Sequence, residues 1–383
     1  MDRRLNILRV ITWLPVGGIE RKILAVLPRL DRERFNVRLV CIREEGVLAE
    51  ELRREGIPVD VVPMRTRLSP SGLLRLSKYL GHHKIDIVHS HMYRSNVPAT
   101  ISSRIAGIKG VICQVHNVDT WESRRQRIMD RFLCRWRSVM VGVSERVRRD
   151  MIETLGIPES MTRVIYNGAE IGRFQDRSRR EQTRRELGID PDCLVVIYHG
   201  RLVRQKNPDV LVRIADEIIK PRAKALMLVV GDGGCREQME ATAREKKLGD
   251  IIRFTGKRDD IPDLLNAADM AVLPSYKEGF SNSLVESLAA GLPTVATDVG
   301  GNAEAIEDGR SGIIVPPHED DLLLEKLGWL ADHPDVRRKM GRAAAERAER
   351  FSLRRMVEAV ENLYIEVAKE IGILPEGGKN GIQ

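Results

Sequence analysis

MAVLPSYKEGFSNSLVESLAAGLPTVAT, residues Met270–Thr297, holds the strand–helix–strand unit from which the rest of the chain can be read. Met270–Leu273 and Thr294–Thr297 are short apolar runs of the kind that become strands covered on both faces. Between them, Ser281 and Asn282 are good N-cap residues and predict a helix that starts there. Glu278 precedes that helix, and Glu286 sits about one turn inside it.

The same alternation runs outward in both directions. Strands are predicted at Leu194–Tyr198, Leu226–Val230, Ile251–Phe254 and Gly312–Val315 in the second half. The first half predicts them at Leu5–Trp13, Asn36–Ile42, Val59–Val62, Ile85–His89, Val111–Val115, Ser138–Val143 and Arg163–Ile165. Helical stretches such as Glu20–Leu30, Leu73–Leu80 and Arg94–Ala106 lie between them. Alternation of this kind, twice over, predicts an α/β chain of two doubly wound Rossmann-like domains. The polar stretch Asn167–Pro191 holds the boundary, giving domains at 1–175 and 176–350. Residues 351–374 form one more amphipathic helix, and the Gly-rich tail 375–383 is expected to be disordered.

The bulk properties agree. At 383 residues the chain is long enough for two domains and a large core without disulfides or metals. Its net charge is +8, but residues 1–178 carry +12 and residues 179–383 carry −4, so the halves meet different partners. The acidic second half and 4% aromatic content argue against nucleic-acid binding. No apolar run approaches the ~20 residues of a membrane span. The basic start Met1-Asp2-Arg3-Arg4 is not followed as a signal peptide would be: Arg9 interrupts the apolar run, and no small-residue cleavage site follows. Five scattered cysteines without a C-x-x-C fit a reducing cytoplasm, not a disulfide framework or zinc site.

Several segments carry chemistry. Gly231-Asp232-Gly233-Gly234 follows a strand, but Arg236 stands where a dinucleotide fingerprint needs its third glycine. A tight turn or a place near a nucleotide fits it equally. No phosphate-cradling P-loop is present. Glu278 and Glu286 could grip sugar and ribose hydroxyls, and the free N–H groups from Ser281 to Leu284 suit a phosphate. Spacing alone fits equally a capping carboxylate plus an exposed helix residue. Arg201 and Lys206 flank a loop at a strand's C-terminal end, where two cations suit a diphosphate; a solvated basic loop is the plainer alternative. Gly17 and Gly18 let backbone approach a ligand after the first strand.

In this order, these segments resemble the retaining glycosyltransferases of the two-Rossmann-domain, GT-B architecture, called family 4 or group 1. The E-x7-E block at Glu278 and Glu286 is the most specific part. Gly200-Arg201-Leu202 with Lys206, the Gly17-Gly18 loop, Tyr166-Asn167-Gly168 and Asp298–Glu304 support it. The resemblance covers nearly the whole chain. It implies an N-terminal acceptor domain and a C-terminal donor domain facing a central cleft, with the last helix crossing back to the first domain. It implies a hexosyltransferase that takes a UDP- or GDP-sugar, UDP more readily, with no obligatory metal or other cofactor.

The resemblance also implies roles. Arg201 and Lys206 would neutralise the departing diphosphate, and Glu286 would hold the ribose. Glu278 would hold the donor sugar, with Phe280, Ser281 and Asn282 beside it. Ser283 and Leu284 would offer amides, Arg258 would pack the base, and Gly17 and Gly18 would face the phosphates. His116 would touch the donor sugar and stabilise positive charge at its anomeric carbon, although a histidine after a strand is also commonly structural. Glu20, His91 and Asn117 are acceptor-side candidates, as is His89. The acceptor would be a lipid-linked or other saccharide in envelope, lipopolysaccharide or exopolysaccharide assembly. A nucleotide-sugar epimerase of the same architecture, or a non-catalytic nucleotide-binding scaffold, are the alternatives. The only D-x-D, Asp190-Pro191-Asp192, falls at a turn.

Trp121–Asp150 holds nine Arg and no Lys, net +5. Arg124, Arg125, Arg127, Arg131, Arg135 and Arg137 share a predicted helix with Ile128, Met129, Phe132, Leu133 and Trp136. Such a helix can lie on an anionic bilayer or pack its apolar face inward. The first reading expects a cytoplasmic protein held peripherally on the inner face of the membrane.

Overall fold

Parallel strands buried on both faces need near-continuous apolar sequence, and the central predicted strands have it. A computed structural model of the chain describes residues 3–118 and 123–375. It divides into two units. One takes the chain up to Asn167 together with everything from Leu353 onward, and the other is Gly168–Ser352. The division falls eight residues before the boundary drawn from sequence. Met1, Asp2 and residues 376–383 of the expected tail lie outside the described residues.

In the first unit, seven strands form one parallel sheet: β1 Leu5–Ile11, β2 Phe35–Cys41, β3 Val59–Val61, β4 Ile87–His91, β5 Gly110–Val115, β6 Val139–Gly142 and β7 Thr162–Val164. Their spatial order is β3-β2-β1-β4-β5-β6-β7. The second unit has six: β8 Leu194–His199, β9 Ala225–Val230, β10 Ile252–Gly256, β11 Met270–Leu273, β12 Thr294–Thr297 and β13 Gly312–Val315, in the order β10-β9-β8-β11-β12-β13. Both sheets therefore reverse direction beside their first strand, between β1 and β4 and between β8 and β11. Adjacent connections leave to opposite faces there, which opens a crevice at the strands' C-terminal ends where ligands of such sheets bind.

The terminal helix Leu353–Glu370 belongs to the first unit. Its Met356, Val357, Val360, Leu363, Tyr364 and Val367 recur at helical spacing and are buried in the same core as Leu5, Ile7 and Ile11 of β1. Each such side chain contributes about 1.5–3 kcal/mol relative to exposure, so the helix is integral to that unit. No helix among the described residues is long and apolar enough to cross a membrane.

At the N-terminal edge of the second sheet, a cavity of about 580 Å³ is lined by Arg177, Arg180 and Arg337 among others. Those three donate to the Ala290, Ala268 and Leu330 carbonyls, at or just past helix C-termini, where partial negative charge collects cations.

Candidate functional site

The second unit gathers its predicted residues at the β8/β11 reversal. Arg201 and Lys206 come from the loop after β8, and Glu278 from the loop after β11. Lys206 Nζ forms an ion pair with Glu278 Oε1. Ser275 Oγ donates to the same oxygen at 2.7 Å, and Glu278 is only 6% exposed. The helix Asn282–Ala289 follows, capped by Ser281, whose Oγ accepts from the Leu284 N–H at 3.4 Å. Asn282 and Ser283 are half-buried in its first turn, and Phe280 is buried against Phe351, ring centroids 5.1 Å apart. Glu286, half-buried, accepts from His199 Nε2 at 3.2 Å. The Arg201 side chain is exposed, while its carbonyl accepts from the Tyr198 hydroxyl at 2.9 Å.

Two glycines let these loops close on one another. Gly231 holds φ +136°, and any Cβ there would overlap the Gly200 carbonyl. Gly300 holds φ +54° against the Glu278 carbonyl. A residue with a side chain at either position would push the arginine loop or the glutamate loop away.

Arg258, after β10, is held by Asp260: its Nε donates to Oδ1 at 2.8 Å, and that pairing raises the guanidinium pKa. Asp190 and Asp192 lie before β8, at the opposite edge of the sheet from Lys206. Both face Lys224, at 3.6 and 3.5 Å.

The first unit gathers a different set at its own reversal, β1/β4. Gly17 caps the helix Gly18–Val26, and a Cβ on Gly17 would meet the Glu20 carboxylate. His89 and His91 lie on β4, and His116 follows β5 with Asn117 next to it; the latter two are half-buried. His91 Nδ1 lies 3.0 Å from His116 Nε2. The sequence reading missed what surrounds them. Arg9, on β1, places Nη1 2.7 Å from His91 Nε2. His89 contacts the Tyr364 hydroxyl at 3.2 Å and Gln114 Oε1 at 3.1 Å. Burial first, and then the Arg9 charge, push the His116 pKa down to about 3 and lower those of His89 and His91. Burial likewise raises the Tyr364 phenol to about 12.

The basic helix spans Arg124–Cys134, with Ser123 as its N-cap; Trp121 lies outside the described residues. Arg124, Arg125, Arg131 and Arg135 are exposed, as are Ile128 (60%) and Phe132 (47%). Arg135 stacks 3.9 Å over the Phe132 ring. Arg137 departs from the predicted helix. The helix ends before it, and its side chain is buried in an ion pair with Asp130.

Two family models match the chain. The model for "Glycosyl transferases group 1" matches residues 179–347, and that for "Glycosyltransferase Family 4" matches residues 16–173. A D-inositol 3-phosphate glycosyltransferase of Saccharomonospora viridis is 30% identical over 77% of this chain and 73% of its own length. A UDP-Gal:alpha-D-GlcNAc-diphosphoundecaprenol alpha-1,3-galactosyltransferase of Escherichia coli is 24% identical over 92% of this chain and 94% of its own. Among solved structures, Anabaena Alr3699/HepE in complex with UDP-glucose superposes with a TM-score of 0.82 at 22% identity, covering 97% of this chain and 100% of that one.

Proposed function

Since the chain belongs to the family 4, group 1 glycosyltransferases, we propose that it moves a hexose from a UDP-sugar to a hydroxyl of a lipid-linked saccharide, with retention at the anomeric carbon. The observation that carries this reading is the convergence of Arg201, Lys206, Glu278 and the Asn282–Ala289 helix N-terminus on one sheet reversal. The choice of UDP over GDP is supported by the UDP-Gal donor named for the Escherichia coli relative and the UDP-glucose bound in the Anabaena structure. The same relative's diphosphoundecaprenol acceptor supports a lipid-linked acceptor and a role in envelope polysaccharide assembly.

Breaking the sugar–phosphate bond places positive charge on the sugar ring and negative charge on the diphosphate. Arg201, Lys206 and the amides of Ser283 and Leu284 meet that growing negative charge, which lowers the barrier more than it tightens ground-state binding. Lys206 leaves Glu278 for the diphosphate, and the freed carboxylate takes sugar hydroxyls. Glu286 holds the ribose, and Arg258 borders the base. His116 faces the sugar, and Glu20 and Asn117 lie toward the acceptor; His91, buried with both ring nitrogens engaged, stands behind His116 and does not reach the acceptor. These cations do the neutralising work without an obligatory metal.

The exposed Ile128 and Phe132, ringed by Arg124, Arg125, Arg131 and Arg135, suit an anionic bilayer: the apolar pair inserts and the guanidiniums meet lipid phosphates. The enzyme then works at the cytoplasmic leaflet, where its acceptor is anchored.

The test is transfer from radiolabelled UDP-glucose, UDP-galactose and GDP-mannose into a bacterial lipid extract, with and without EDTA. The reading expects label in lipid from one UDP-sugar, insensitive to EDTA, and an α-linked product from an α-linked donor. Label from GDP-mannose alone, or an inverted product, would contradict it.

A further inference from the structure

The buried polar side chains of the first unit form two hydrogen-bond chains beside one cation, and one of them starts on it. Arg9 interrupts the apolar strand Leu5–Ile11 and is 2% exposed. A guanidinium donates and never accepts. Its Nη1 points at His91 Nε2, so that nitrogen holds a lone pair and no proton. His91 must therefore carry its proton on Nδ1. That N–H faces His116 Nε2, which must accept. His116 in turn carries its proton on Nδ1.

The second branch obeys the same logic. Gln114 Oε1 accepts from His89 Nε2–H, which leaves His89 Nδ1 to accept from the Tyr364 hydroxyl. The Arg9 guanidinium lies beside the Tyr364 ring, its carbon 5.7 Å from the ring centroid. The terminal helix thus supplies an aromatic neighbour for the buried cation.

We infer that Arg9 is a positioning residue: through His91 it holds His116 as a neutral Nδ1–H hydrogen-bond donor, so that His116 serves the transfer by donating to an oxygen of the substrate and not by accepting a proton. The second half of this statement rests on the reading that His116 faces substrate. Protonating His116 would require its Nε2 lone pair, which His91 already occupies, so base chemistry there would have to break the relay. The lowered basicity of His91 and His116 agrees, because both stay neutral through the physiological range.

The experiment is long-range proton–nitrogen correlation NMR on full-length protein labelled with ¹⁵N-histidine, with His116 assigned by its loss in His116→Gln. Wild type is expected to show His116 protonated on Nδ1 alone, unchanged between about pH 7.5 and about pH 5.5. Arg9→Met should free His91 and mix the tautomers of His116, while kcat falls about tenfold and the donor KM stays within about twofold. Arg9→Lys, which keeps a donor, should restore the single tautomer and most of kcat. An Nε2–H tautomer in wild type overturns the relay even if Arg9→Met fails to fold, as does an unchanged tautomer in folded Arg9→Met. A correct tautomer with wild-type turnover in His116→Gln leaves the relay standing and overturns its role in the reaction.

Discussion

The two sheets share an order and a reversal point, yet they arm it with opposite chemistry. In the second unit the side chains sit in loops beyond the strands and are charged: Lys206 pairs with Glu278, and Arg201 is exposed. In the first unit they sit largely within the strands, and His89, His91 and His116 gather near one buried arginine, their basicity lowered by burial. A charged, partly open set can trade its internal partner for a charged ligand. A buried, neutral set cannot, but it can fix the direction of each hydrogen bond. One region is built to exchange partners and the other to keep them.

Removing Lys206 should have the largest effect. Lys206→Met leaves Glu278 buried without its cation, a loss of about 3–5 kcal/mol. The urea midpoint of the second unit should drop, and turnover should fall with it. Adding Glu278→Gln should recover the midpoint but not the turnover; recovery of both would reduce the pair to a structural salt bridge.

The next test separates the two regions. Glu286→Ala should weaken UDP binding about 10- to 100-fold, the range expected for charge-assisted hydrogen bonds of ~1.5–3 kcal/mol. His116→Ala should leave UDP binding unchanged and lower transfer alone. Loss of UDP binding in His116→Ala would break the comparison.

A third prediction uses acid. Native His89, His91 and His116 bind a proton far less readily than unfolded histidine, whose pKa is about 6.5. The unfolded chain therefore binds more protons below that value, and stability rises with pH. It should be complete above about pH 6.5 and decline as pH falls toward the His116 value of about 3. The expected slope is about 1.4 kcal/mol per pH unit for each proton taken up. Urea unfolding at several pH values should show His116→Asn flattening that slope by one proton; an identical slope would place His116 in water.

The smallest effect on chemistry belongs to the basic helix. Ile128→Ser with Phe132→Ser should weaken co-sedimentation with anionic vesicles about tenfold or more, since each apolar side chain contributes ~1.5–3 kcal/mol on burial. Turnover on a water-soluble acceptor should not change. Equal sedimentation of variant and wild type would remove the membrane contact.

These regions also differ in how openly the sequence declares them. All thirteen predicted strands appear near their expected positions; the central ones, covered on both faces, must be written as apolar runs. The second unit's charged set was legible because loops concentrate it: Arg201 to Lys206 and Glu278 to Glu286 are short spans. In the sequence Arg9 reads only as a break in an apolar run, although a charge inside a buried strand needs buried partners. Those partners could not be found by spacing, since Tyr364 reaches His89 from 275 residues away. Sequence places Arg137 on the same helix as Arg124 to Arg135, but the helix ends three residues before it.

The central claim is that the second unit's reversal point holds the donor nucleotide. Isothermal titration calorimetry of UDP, with GDP as the competitor, tests it on wild type, Arg201→Ala, Glu286→Ala and His116→Ala. The account predicts saturable UDP binding that weakens in the first two variants and persists in the third. Binding equally tight in all four proteins would contradict it.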